Sequence, residues 1–272
     1  MSSWRRVLAL AAASVAASVH GAQAVATHKA ASMIRGGGFV KSFEFKQRLR
    51  ICNAYPYDDA LEIFQDDKGL TGNVPMTYKQ CRDFGASLRV GDKLDFKTTE
   101  SVVGTFAISD LPSSDAILLL IIYQHDAQTT AASFKSHIFA STSFPQVAVV
   151  DVHKGKTQAI AKIVDDAPSG NGTISEELRF DSVVAVNPGR FDIRLESKDG
   201  KVLATRELVA VNKESYTIIR TGLESEEGHS YPDDLIIFPR TPPSALKSHA
   251  EGRFVGMAAM AASILACAVA LA

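Results

Sequence analysis

The feature that most constrains this chain is a pattern of short alternating runs that occurs twice in the same order. Arg48-Leu49-Arg50-Ile51-Cys52, Lys93-Leu94-Asp95-Phe96-Lys97 and Arg190-Phe191-Asp192-Ile193-Arg194-Leu195 each alternate with a period of two. That period gives one buried and one wet face, as in antiparallel sheet. Gly, Pro, Asn and Asp punctuate such runs about every ten residues, and no long stretch has the 3.6-residue spacing of an amphipathic helix. Ile117 to Tyr123 and Tyr216 to Ile219 are instead continuously apolar, which suits central strands.

The two halves align at an offset of 96 to 99 residues. Phe84 to Val90, a Gly91-Asp92 turn and Leu94 to Lys97 answer Phe180 to Val186, a Pro188-Gly189 turn and Phe191 to Arg194. Ala116 to Leu120 answers Tyr216 to Ile219, with Ile117 opposite Tyr216, and Ser133-Phe134 answers Ser230-Tyr231. The expected fold class is all-β: two tandem antiparallel β-sandwich (Ig-like) domains, each of about seven short strands. They are placed at 45–141 and 144–240.

The two ends of the chain carry signals of a different kind. Arg5 and Arg6 precede an uncharged, Ala-rich stretch from Val7 to Val19, followed by Ala22-Gln23-Ala24. A basic start, an apolar core and a small-x-small site predict a secretory signal peptide at 1–24; the alternative is an Ala-rich transit peptide. Residues 25–44, with Gly36-Gly37-Gly38, read as a flexible leader. At the other end, Phe254 to Ala272 is a 19-residue stretch without a charge, just long enough to span a hydrocarbon core. Pro242 to Arg253 supplies small residues and a polar spacer (linker 241–253). This is the layout of a GPI-attachment signal with Ser244 as the attachment site, or of a retained membrane span. Both predict membrane tethering through the C-terminal segment, at the cell surface or outside the cell; a complex plastid or another endomembrane compartment is the alternative address.

Cys52 and Cys81 are the only cysteines outside the two terminal segments, and export predicts that they form a disulfide. Asn171-Gly172-Thr173 is an N-glycosylation sequon in a loop-like stretch. A net charge of −1 offers no basic face for a phosphate backbone, so nucleic acid is not an expected partner.

Val186-Asn187-Pro188-Gly189-Arg190-Phe191-Asp192-Ile193, with Glu214 to Gly222, resembles a family of bacterial surface β-sandwich domains of unknown function. Arg50 to Pro56 looks like the first strand of the alginate O-acetylation accessory protein AlgF. The whole architecture is similar to secreted proteins of dinoflagellate-type protists with tandem β-sandwich repeats. The resemblance implies a surface-exposed sandwich and brings no catalytic residues. Gly91-Asp92 stands where the family has Pro-Gly.

Motifs for known chemistries are missing. The chain has no Gly-x-Ser-x-Gly elbow, no Gly-rich phosphate loop and no His-Glu-x-x-His. Cys81 is followed by Arg-Asp-Phe, with no His or Met close behind it in sequence, which disfavours a blue-copper site. His125, His137, His153 and His229 are widely spaced and read as solvated. Two Asp pairs, Asp58-Asp59 after Tyr55-Pro56-Tyr57 and Asp233-Asp234 after Tyr231-Pro232, are weak candidates for calcium and otherwise read as Pro-Asp turns. The only Trp is Trp4, leaving Tyr55, Tyr57, Tyr78 and Tyr123 as aromatic platforms for a sugar. The expectation is a non-enzymatic, membrane-tethered binding or adhesion module for a protein or glycan ligand, with no cofactor. The alternatives are an accessory factor in polysaccharide modification or export, or an enzyme with an interdomain site.

Overall fold

The structure is a computed structural model and describes residues 47–165, 173–226 and 229–246. The expected signal peptide and leader, Asn171 and the apolar tail lie outside the described residues. Among the described residues, sixteen strands fall into two sets of eight. The first set is β1 (Gln47–Ala54), β2 (Glu62–Gln65), β3 (Lys68–Gly69), β4 (Cys81–Phe84), β5 (Lys93–Lys97), β6 (Val102–Ala107), β7 (Ala116–Gln124) and β8 (Ala132–Ala140). The second is β9 (Gln146–Asp151), β10 (Ala159–Asp165), β11 (Ile174–Leu178), β12 (Ser182–Ala185), β13 (Gly189–Ser197), β14 (Val202–Ala210), β15 (Ser215–Leu223) and β16 (Tyr231–Phe238).

The topology repeats strand for strand. Sheets β4-β1-β7-β8 and β3-β2-β5-β6 make the first sandwich; β12-β9-β15-β16 and β11-β10-β13-β14 make the second. A β-bulge interrupts β5–β6 at Phe96/Lys97 and β13–β14 at the corresponding Leu195/Glu196. The fold is thus the expected tandem β-sandwich, with one refinement: β1 pairs β7 in parallel, and β9 pairs β15 likewise. Each sandwich has eight strands where seven were expected.

Register sharpens the repeat. Leu49 pairs with Leu118, and Val147 with Tyr216, so Leu118 is the true counterpart of Tyr216 and the offset there is 98 residues. Aligning Ile117 with Tyr216 is a one-residue slip, which turns a side chain to the opposite face of the sheet. Ile117 does face the other way, into a cluster shared by both sandwiches, while Tyr216 lies in the core of the second. Phe84 pairs with Leu49 and Val184 with Val147, so Phe84 answers Val184, not Phe180.

Each sandwich has its own core. Leu49, Ile51, Ile63, Phe96 and Leu120 fill the first, and Val149, Ile193, Leu195, Tyr216 and Ile218 the second. A third buried layer joins them: Cys52, Leu119 and Ile121 pack on Ala148, Val150 and Ile219. The four sheets therefore stack face on face, with β1, β7, β9 and β15 in the two middle sheets. This explains the continuously apolar runs, since a strand between two cores has no wet face. Each Ile or Leu buried in the shared layer contributes about 1.5–3 kcal/mol relative to exposure.

Polar ties cross the same layer. Arg50, fully buried, donates to Asp83 at 2.7 and 3.0 Å, reaches the Ser215 carbonyl, and stacks over the Phe238 ring at 4.9 Å. Thr221 donates to the Ala54 carbonyl at 3.2 Å. Arg50 thus meets the start of β15 and Ala54 its end, so β1 and β15 run in the same direction. The cross-strand disulfide Cys52–Cys81 also sits here, its Cα atoms 4.0 Å apart.

Candidate functional site at the end of the second sandwich

At the ends of β1 and β9 the chain makes the same turn twice. Asn53 Oδ1 accepts from the Tyr55 backbone N–H at 3.0 Å, and Asp151 Oδ1 accepts from the His153 N–H at 2.9 Å. Tyr55 then closes the first sandwich, 1% exposed, its hydroxyl donating to the Thr130 carbonyl at 2.5 Å. His153 takes that place in the second, with a side chain 2% exposed. Reading the histidines as solvated was wrong here: the shared turn folds His153 over the end of the core as it does Tyr55.

Arg220 lies in β15, a strand buried along its whole length. A guanidinium taken out of water must have its donors met. Its Nε and Nη2 donate to Asp233 at 2.8 and 3.2 Å, Nη1 to Asp151 Oδ2 at 3.0 Å, and Nη2 to the Thr157 carbonyl at 2.8 Å. Burial pulls its pKa down, but the Asp233 hydrogen bond and the Asp151 and Asp233 charges outweigh that and raise it.

Glu224 completes the group. The backbone N–H groups of Lys156 and Thr157 donate to it at 2.7 and 3.1 Å, and contacts with Thr157 and Lys156 hold its carboxyl below the ordinary carboxylate range. His153 Nε2 stands 3.7 Å from Glu224 Oε1 and 3.6 Å from Asp233 Oδ1. Both distances are too long for a hydrogen bond, and this buried nitrogen has no hydrogen-bond partner. Burial pushes the imidazole pKa down; Asp233 opposes this, Arg220 adds to it, and the net shift is downward.

Two glycines make room for the group. A Cβ on Gly155 would meet the Glu224 carboxylate carbon at 2.4 Å, and one on Gly222, whose φ is +146°, would meet His153 Cδ2 at 2.9 Å. Clefts of about 500 and 630 Å³ flank the Gly155–Lys156 turn. The first joins His125 and Asp126 of one sandwich to Lys154 and Glu224 of the other, and the second reaches His153, Thr157 and Arg220. A larger cleft of about 960 Å³ lies elsewhere, lined by Ile163, Ile174, Val186 and Phe191.

The four Asp residues marked in the sequence do not come together as one calcium site; their carboxylates serve other partners. Asp58 accepts from the Tyr231 hydroxyl at 2.8 Å and Asp59 from Thr99 at 2.6 Å. Asp234 pairs with Lys79 at 2.8 Å and Arg206 at 2.6 Å. Asp233 alone joins the new group. The tyrosines divide as well: Tyr78 packs edge-on against Tyr231 at 5.4 Å, next to His229, while the Tyr123 ring lies under Lys154. His125 contacts Ser133 at 2.8 Å, and His137 lies against Phe139. Ser244 is exposed in a short helical turn after β16.

His153, Glu224, Asp151 and Arg220 were missed as site residues. The available signal was Arg220, a charge continuing the apolar run Tyr216 to Ile219. Fold and cluster together define a class, a tandem β-sandwich protein with a buried ionic group at one end. No protein-family model matches the chain, and no curated protein matches it either.

Proposed function

We propose that this chain is a non-enzymatic binding module, tethered to the cell-surface membrane through its C-terminal segment and displaying the far end of its stacked sandwiches to a glycan or protein ligand. One observation supports this above all: the chain leaves the stack at the end opposite the ionic cluster. Gln47 pairs with Ala116 at the start of β7, and Thr241, after β16, meets Tyr216 at the start of β15 at 2.9 Å. The cluster lies where β9 and β15 finish and β16 begins. A strand of eight residues spans about 25 Å, so a tail anchored beyond Thr241 puts that distance between the membrane and the display end. Tyr57, Tyr78 and Tyr231 with Asp58 give that end phenol faces and carboxylates, chemistry suited to sugar hydroxyls. Secretion by the 1–24 segment, attachment at Ser244 and glycosylation at Asn171 complete the reading.

The test expresses the full chain, tagged after Gly38, on intact cells and applies fluorescent glycans and candidate ectodomains. The expected result is surface labelling of the tag and a ligand whose binding falls at least about tenfold in Tyr231→Ala. A tag inaccessible on intact cells, a ligand mapped to the Gln47 end, or turnover of a substrate overturns the proposal.

A further inference from the structure

We propose that His153 Nε2, Glu224 Oε1 and Asp233 Oδ1 form a binding site for a single divalent transition-metal ion of the zinc type. The three donor residues offer atoms that all lie within 4.8 Å of one another. A tetrahedral ion with bonds of about 2.0–2.2 Å separates its ligand atoms by about 3.3–3.6 Å. The imidazole nitrogen stands 3.6 and 3.7 Å from its two carboxylate neighbours, close to that edge and beyond hydrogen-bond length.

The buried Nε2 supplies an independent reason. Its side chain is 2% exposed, and it faces two carboxylates without bonding either. An orphaned nitrogen of this kind costs desolvation unless something occupies the space between. Neither carboxylate is free to swing in and bond it. Arg220 donates to both Asp233 oxygens, Oδ1 included, and the Lys156 and Thr157 amides hold the two Glu224 oxygens. Partners of this type fix the orientation of metal ligands.

Charge points the same way. Asp151, Glu224 and Asp233 carry three negative charges and Arg220 one positive, so with the imidazole neutral, as a metal ligand must be, the group is left at −2. A divalent cation neutralises that remainder. A nitrogen ligand beside two carboxylates favours zinc-type ions over calcium, which takes oxygen ligands. With three protein ligands, a fourth position remains for water or a ligand group entering from the cleft beside Thr157.

The site stands apart from the display role. A protein that binds zinc and no glycan or protein leaves this site intact and sinks only that role. The test strips the purified full chain of metal and titrates zinc by calorimetry. One ion per chain with a Kd of about 1 µM or tighter is expected, with cobalt giving the intense visible bands of a four-coordinate site. Glu224→Gln and His153→Tyr, the latter restoring the residue of the first sandwich, are each expected to weaken zinc at least about 100-fold. Zinc is expected to raise the melting temperature of the parent and leave both variants unmoved. If His153→Tyr does not fold, Glu224→Gln and the cobalt spectrum decide. Absence of stoichiometric zinc or cobalt binding, equal affinity for calcium, or unchanged affinity in Glu224→Gln overturns the site.

Discussion

The two sandwiches share strand order, pairing direction and the position of a bulge, yet they close their equivalent ends with different chemistry. The first uses Asn53, Tyr55, Ile122 and Ala132; the second places Asp151, His153, Arg220 and Asp233 at the corresponding positions. Since the first copy folds the same way with neutral residues, the topology does not require the charges. Burying ions costs desolvation that apolar replacements avoid. The second end therefore carries an ionic group that folding alone does not explain, and the proposed metal site falls there and not on its partner.

The largest expected effect comes from breaking that group one residue at a time. Arg220→Ala leaves Asp151 and Asp233 facing each other without their counter-ion, and is expected to cost about 3–5 kcal/mol in urea unfolding. The combined replacement Asp151→Asn, His153→Tyr, Arg220→Ile and Asp233→Ala imposes the chemistry of the first copy. Its expected stability lies between unchanged and about 4 kcal/mol above the parent. A combined variant less stable than Arg220→Ala would show that the two ends are not interchangeable and that the comparison fails.

Next in size is the disulfide, which only the first sandwich has. Cys52–Cys81 closes a loop with a sequence separation of 29 residues, and Cys52→Ala with Cys81→Ala is expected to cost about 3–4 kcal/mol. The second sandwich, with no counterpart bridge, holds the equivalent strand pair by Val147 on Val184 and its neighbours. Hydrogen exchange in the double variant is expected to loosen β4 more than β12. Smaller again is Arg50→Met, which keeps apolar bulk between the sandwiches and removes the charged hydrogen bonds to Asp83. A loss of about 1.5–3 kcal/mol is expected by thermal unfolding, felt in both sandwiches because Arg50 also holds the Ser215 carbonyl.

Much of the fold is legible in the residues, and the limits of that legibility are physical. Period-two runs such as Phe191, Ile193 and Leu195 report a half-buried strand, so the class and the repeat can be read directly. The continuous run at Ile117 to Tyr123 shows that both faces are buried, but not what covers the second face; only the stacking of two sandwiches settles that. Register is harder, because Ile117 and Leu118 are equally apolar and a slip of one changes only the face. The ionic group is harder still. Asp151 and Arg220 are 69 residues apart, and no local pattern announces that parallel pairing of β9 with β15 sets them side by side. The pairing of Cys52 with Cys81 was accessible by counting alone.

The smallest effect separates the two sandwiches by alkali. Tyr55, which closes the first, and Tyr78, which joins it to the second through Thr221 at 3.1 Å, both have phenols raised from 10.0 to about 12, chiefly by burial. The folded state therefore favours the neutral phenol. The associated stability is whole below pH 10 and is lost as pH rises from 10 towards 12. Tyr78→Phe removes one of the two titrations and is expected to flatten the decline in melting temperature over that window, at the cost of the Thr221 hydrogen bond near neutrality. Tyr55→Phe is expected to flatten it also while weakening the cap on the first sandwich, because the Thr130 carbonyl loses its donor. Tyrosinate absorbance followed alongside the melts reads both. If the two phenols ionise at the ordinary value with no loss of structure, neither is buried as described, and the closed end of the first sandwich is no longer the neutral counterpart of the ionic one.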